Sequence, residues 1–358
     1  MVCLQEGVIC ISPINFGRRY IRLNGIWKLR IDVRSIVVTA ILLGATLAIA
    51  LFGLMVGTLQ LSVNDVLSAL SGEATKMIRT VVVEWRLPRV LAAIIFGAGL
   101  AVSGAILQSL TRNPLGSPDI IGFASGSYTG ALIVILVFSS TSFIGIAAGA
   151  LIGGITTAIL IYILAFRKGT QGFRLIIVGI AVSTILSSLN SVLLMRSKSE
   201  VAFTAAAWGV GSLNGISWAQ AVPGMITVVV LLICATVMSR PLRGMELGED
   251  AAKSHGIRIE RSQLVLILIS VMLTAAPTAV MGPVSFVALA APQIALRLNK
   301  SSQSLAPIAA MGAFLLLGAD IVAQRVISGM ILPVGVVTLS LGGIYLVWVL
   351  FRQARSAL

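Results

Sequence analysis

The sequence predicts an all-α integral membrane protein with about ten transmembrane helices. Three observations carry this. Hydrophobic residues fill 58% of the 358 positions and charged residues only 11%, against roughly 45–50% and 25% in soluble domains. The mean hydropathy is +1.04. The apolar residues also gather into long runs with Lys and Arg at their ends. So few charges cannot cover that much apolar surface in water. Hydrocarbon must be the solvent for most of the chain, and there a helix satisfies its own backbone.

Residues 1–34 read as a cytoplasmic N-terminal segment containing Arg18, Arg19, Arg22, Lys28, Arg30 and Arg34. These precede a full-length apolar span and no short run with a small-residue cleavage site, so no cleaved signal peptide is expected. A transmembrane domain over 35–352 follows, then a cytoplasmic tail at 353–358. Its apolar segments are Ser35–Val56, Val90–Leu110, Pro118–Phe138, Ser142–Phe166, Phe173–Met195, Ala219–Met238, Leu264–Met281, Val284–Leu296, Leu305–Ala323 and Pro333–Leu350. The eighth is too short to span and is bracketed by Pro283 and Pro292. A short or broken helix at membrane depth needs protein or a water-filled cavity around it, so this segment points to a pathway.

Of the 26 Lys and Arg residues, 19 fall on the side of the N-terminus and 7 on the other. By the positive-inside rule both termini are cytoplasmic. Gly57–Arg89 and Arg196–Trp218 are then the longer external connections, and Ser239–Gln263 the longest internal one. Gly122, Gly126 and Gly130 recur every fourth residue on the third span, a spacing that lets helices approach closely.

The net charge of +14 does not indicate nucleic acid, because the basic residues mark segment ends and form no face interleaved with aromatics. Cys3, Cys10 and Cys234 lack metal-type spacing. The run from Gly248 to Ser254 lacks the second glycine of a phosphate-binding loop. There is no nucleophile elbow, so catalysis, a cofactor or a metal held by this chain is not expected.

Asp320 is the one acidic residue expected well inside a span. An intramembrane carboxylate is a functional candidate. Two readings stand: a structural pair or anchor with Arg325, or a proton site for a proton-coupled carrier. In the internal loop, Glu246, Glu249 and Asp250 precede Ala251, Ala252 and Lys253, and Gly256 closes the run. Acids first, a base last and a terminal glycine suit a short helix. It is either a handle for a soluble partner or a solvated loop helix.

Arg86-Leu-Pro-Arg89 opens the second span, followed by Gln108, Arg112-Asn113-Pro114-Leu115, Pro118, Gly122 and Gly126. Leu247-Gly248, Gly282-Pro-Val-Ser-Phe286, Pro292, Ala319-Asp320 and Leu332-Pro333-Val334-Gly335 come later. In order and spacing, from about residue 35 onward, these motifs resemble the FecCD-type permeases of ABC importers, which carry iron–siderophores, haem and vitamin B12. The resemblance implies a permease subunit in the bacterial inner membrane, working with an ABC ATPase dimer, a periplasmic or lipid-anchored siderophore-binding protein and a second permease subunit. The implied cargo is a ferric siderophore of enterobactin-like catecholate type, with haem or vitamin B12 as alternatives.

By the same resemblance Arg86 and Arg89 receive acidic residues of the binding protein, with Arg325 as a third, displaced candidate. Asn113 and Leu115 belong to the cytoplasmic gate. Gln108 and Asp320 are intramembrane polar positions. Glu246, Leu247, Gly248, Glu249, Asp250, Ala252, His255 and Gly256 form the ATPase-coupling loop. The chain departs from the family at Gln293, where a His is usual, at Gln324 and Arg325, and at Ile331.

Overall fold

The computed structural model describes residues 20–24, 28–57, 59–140, 142–165, 172–246, 249–254, 256–300, 304–327 and 331–357. A short antiparallel hairpin, β1 (Tyr20–Asn24) and β2 (Lys28–Asp32), pairs Tyr20 with Asp32 and leads into the first span. Asp32 caps that helix, α1 (Val33–Met55), by accepting from the Arg34 amide at 3.0 Å.

The order then runs α2 (Val63–Ser71), α3 (Lys76–Thr111), α4 (Pro118–Ile121), α5 (Phe123–Val137), α6 (Phe143–Ala165) and α7 (Gly172–Met195). It continues α8 (Ser199–Trp208), α9 (Trp218–Val237), α10 (Ser239–Glu246), α11 (Glu249–Ser254), α12 (Ile259–Met281), α13 (Val287–Leu298), α14 (Leu305–Ala323) and α15 (Val334–Ala357). Seven of these are long and apolar enough to cross a membrane: α1, α3, α6, α7, α9, α12 and α14. The apolar helices α5, α13 and the first part of α15 complete the expected segments.

The structure alters the sequence reading in four places. The second span begins well before Val90: α3 is continuous from Lys76 over 36 residues, so much of the expected Gly57–Arg89 connection is helix. Pro88 does not break it because the turn over Thr80–Arg86 is widened, with the Leu87 amide reaching back to Val82; such a bulge relieves the clash a proline makes with the preceding turn. The third span is interrupted at Gly122, which takes φ +94° between α4 and α5. The Arg196–Trp218 connection holds α8. Finally, Glu246 ends α10; it does not open the next helix.

The ends of the bundle follow from contacts. Arg34 Nε donates to the Leu298 carbonyl at 2.8 Å at the basic end, which also carries Arg112 and Arg243. At the far end, Trp218 Nε1 donates to the Val83 carbonyl at 2.8 Å, tying α9 to α3. The core lies around α3, whose apolar window is 83% buried, with α12 at 72% and α14 at 56%; the other long spans are 22–28% buried and leave broad apolar faces. Small residues put α3 there. A Cβ on Gly104 would collide with the Ala288 carbonyl. The stripe on α5 does what its spacing predicts: Gly126 and Gly130 lie against the backbone of Gly153 and Gly149 on α6.

α12 stops at Met281, and residues 282–286 run back without regular structure before α13 begins. At about 1.5 Å per residue, its 12 residues cover roughly 18 Å. Ala288 is level with Gly104, seven residues before the end of α3. The eighth segment is therefore a half-helix entering the bundle interior, as its length predicts, although Pro292 lies within it and does not bound it.

Candidate functional site

The far end is organised by one ion pair. Arg89, in the first turn after the widened stretch of α3, donates from Nε to Asp320 Oδ2 at 2.8 Å and from Nη2 to Oδ1 at 2.9 Å. This is the bidentate geometry that makes guanidinium–carboxylate pairs both strong and specific in orientation. Asp320 on α14 is 0% exposed. Gln324, one turn later, donates to Oδ2 at 2.9 Å, and Arg89 Nη1 reaches Asn214 Oδ1 at 3.0 Å. Asp320 thus pairs with Arg89, 231 positions away, and not with Arg325.

Arg86 is also engaged. Its Nη1 and Nη2 donate to the carbonyls of Leu54 and Leu59 at 2.7 and 2.6 Å, closing the end of α1. Arg325 is exposed, its guanidinium lying 5.7 Å from the centre of the Phe52 ring. A cavity of about 520 Å³ opens here, lined by Glu84, Trp85, Arg86, Arg89, Asn214 and Gln324 among others.

The basic end holds a second polar cluster. Gln108 on α3 is 8% exposed, donates to the Leu289 carbonyl at 3.1 Å and accepts from Gln293 Nε2 at 2.6 Å. The Gln that replaces the family's usual His therefore binds α13 to α3. Ser109 Oγ donates to Glu246 Oε1 at 2.9 Å, and Arg112 Nη2 to the Met245 carbonyl at 3.3 Å. These residues border a cavity of about 380 Å³. Burial raises the Glu246 carboxyl above its ordinary pKa, partly offset by the Ser109 hydrogen bond and by Arg243.

Asn113 Oδ1 accepts from the Leu115 amide at 2.9 Å, and this turn presents the Leu115 side chain, which is exposed. Ala252 on α11 is buried, and Gly256 takes φ +76° with the Ile257 amide on the Ala252 carbonyl, an αL helix stop. Leu247, Gly248 and His255 lie outside the described residues, as do the side chains of Glu249 and Asp250.

Two features were missed in the sequence. Asp119 is a second inward carboxylate: its Oδ2 accepts from the Phe286 amide at 3.1 Å, at the start of α13, where Phe286 has φ +69°. In sequence it reads as the ordinary first turn of a span. The other feature is a row of exposed hydroxyls on α7, Thr184, Ser187, Ser188 and Ser191, whose i, i+3, i+4, i+7 spacing places them on one face.

A multi-span bundle with a half-helix and polar clusters at both ends has the makings of a transport protein. The sequence matches the FecCD transport family over residues 42–352; the chain belongs to that family. It is 45% identical to the ferric enterobactin transport system permease protein FepG of Escherichia coli over 90% of this chain and 98% of that one. The vitamin B12 import system permease protein BtuC of Vibrio cholerae is 34% identical, over 88% and 94%. Among solved structures, an inward-facing metal-chelate type ABC transporter superposes with TM-score 0.78 at 27% identity, over 88% of this chain and 99% of that one.

Proposed function

We propose that this chain is the permease subunit of a binding-protein-dependent ABC importer that carries a ferric siderophore of enterobactin type across the bacterial inner membrane. The observation that carries it is the 45% identity to a ferric enterobactin permease along nearly both full lengths. In this reading the basic end is cytoplasmic and both termini lie there. A partner ATPase dimer binds the α10–α11 loop, and a siderophore-binding protein docks at the far end on Arg86, Arg89 and Arg325. A second permease subunit completes a path bordered by α7, α13 and α15. The hydroxyl row on α7 supports that path, because it offers a polar surface without charge to a bulky chelate.

A proton-coupled carrier working through Asp320 is disfavoured: both carboxylate oxygens are committed to Arg89. The test is uptake of radio-iron as ferric enterobactin by cells lacking this gene, with and without the chain restored. Restored, ATP-dependent uptake that excess haem and cobalamin leave unaffected is the expected result. Restoration of haem or vitamin B12 uptake alone would overturn the cargo.

A further inference from the structure

The last turn of α3 faces two ways. Gln108 and Ser109 are adjacent, so their side chains diverge by about 100°. Gln108 turns to α13, where it holds the Leu289 carbonyl and the Gln293 amide. Ser109 turns to α10, where it holds Glu246. One residue past the helix, Arg112 fixes the Met245 carbonyl, and the Asn113–Leu115 turn follows directly. The loop helices are seated through Leu242, Met245 and Ala252, all buried.

Between these contacts lies the cavity of about 380 Å³. Close packing would fix the register of α3, α10 and α13 by shape alone. α3 and α13 are in backbone contact at Gly104 and Ala288; from there to the basic end, the open polar space leaves the helix ends to a few directed hydrogen bonds, and such bonds can shift together as a unit. We infer that Glu246 is a positioning residue that transmits movement of the α10–α11 loop through Ser109 to the end of α3, and through Gln108 and Gln293 to the half-helix α13. It is therefore no contact residue for the ATPase, because its carboxylate is turned inward onto α3. This rests on the importer reading above.

The test uses the whole importer purified from membranes with its bound ATPase, carrying Glu246→Ala, Ser109→Ala, both together, or Glu246→Gln. Three quantities are read: the ATPase retained, ATP hydrolysed, and ferric enterobactin moved per ATP after reconstitution. Each alanine variant should retain the ATPase and move about tenfold less cargo per ATP, the scale of one lost hydrogen bond to a charged group. The double variant should be no worse than either single one, because both act through the same contact. Glu246→Gln keeps an acceptor for Ser109 and should recover most of the ratio.

Loss of the ATPase from Glu246→Ala would make Glu246 a contact residue and overturn the inference. So would effects of the two alanines that multiply. If the wild-type complex hydrolyses ATP but moves no ferric enterobactin, the cargo assignment falls; ATPase retention and the double-variant comparison on ATP turnover still decide the relay.

Discussion

Arg89 and Asp320 form a two-pronged ion pair, 2.8 and 2.9 Å, inside the far end of the bundle. Arg89 belongs to the motif whose arginines are proposed to receive a binding protein, yet two of its nitrogens are spent on Asp320 and the third on Asn214. Their side chains are 12% and 1% exposed. The pair joins α3 to α14 and steadies the loop carrying Asn214, so it lies beneath the proposed docking surface.

A buried pair is most damaging when broken from one side, since the survivor is left charged and unpaired. Arg89→Ala or Asp320→Asn should each cost about 3–5 kcal/mol, read as a lower Tm in detergent. Arg89→Met with Asp320→Leu should recover most of that loss. A double variant worse than either single one would show that the pair contributes net stability beyond mutual compensation.

Of the three arginines proposed for docking, Arg325 is the exposed one, and it stands over Phe52. Rim charges act mainly on association rate. Arg325→Glu should slow binding-protein association measured by surface plasmon resonance, with a larger effect at low ionic strength and an unchanged Tm. A salt-independent effect would point to a disturbed surface and no lost attraction.

Much of the fold was legible because hydropathy needs no partner information. Each span is apolar within itself, and the shortness of the eighth run marked the half-helix, with Pro283 just before it and Pro292 inside it. The start of the second span was not legible, since Lys76–Arg89 interrupts its apolar run with charges and a proline that the widened turn accommodates. Long-range pairing was illegible for a different reason. Arg325 is Asp320's nearest basic residue in sequence, whereas Arg89 reaches it only through helix packing. The Ser109–Glu246 and Asp119–Phe286 contacts are hidden in the same way, as nothing in a local window identifies which helix a polar side chain will meet.

Glu246 lies outside the spans, and burial raises its pKa. A carboxyl whose folded-state pKa exceeds its unfolded one binds protons preferentially when folded, so its contribution is present at acid pH and fades as pH rises through the folded value. The Tm of the wild type relative to Glu246→Gln should therefore increase as pH is lowered from neutral to about 5. An opposite slope would mean that the Ser109 bond and Arg243 outweigh burial.

Glycine positions on α5 and α14 should respond in opposite senses. A Cβ at Gly130 would meet the Gly149 carbonyl, backbone that cannot swing aside. Gly130→Ala should cost about 3 kcal/mol, the upper range for overpacking. Gly318 on α14 has nothing within 4 Å of an added Cβ, so Gly318→Ala should stabilise by about 0.5–1 kcal/mol through helix propensity. Thermal melts of the two variants side by side would check this.

The hydroxyl row on α7 separates a path from a lipid face. Thr184, Ser188 and Ser191 bond to carbonyls of their own helix, Ile180, Thr184 and Ser187, so hydrocarbon would tolerate them and stability alone cannot tell the two environments apart. Bulk can. If the row borders the path, Ser187→Trp should block ferric enterobactin uptake at least about tenfold, while folding changes by no more than about 0.5 kcal/mol, as for exposed positions. Leu189 is 43% exposed and lies about 150° around the helix from the row, so Leu189→Trp should leave uptake intact. Equal tolerance of both tryptophans would turn that face of α7 towards lipid and leave the path to α13 and α15.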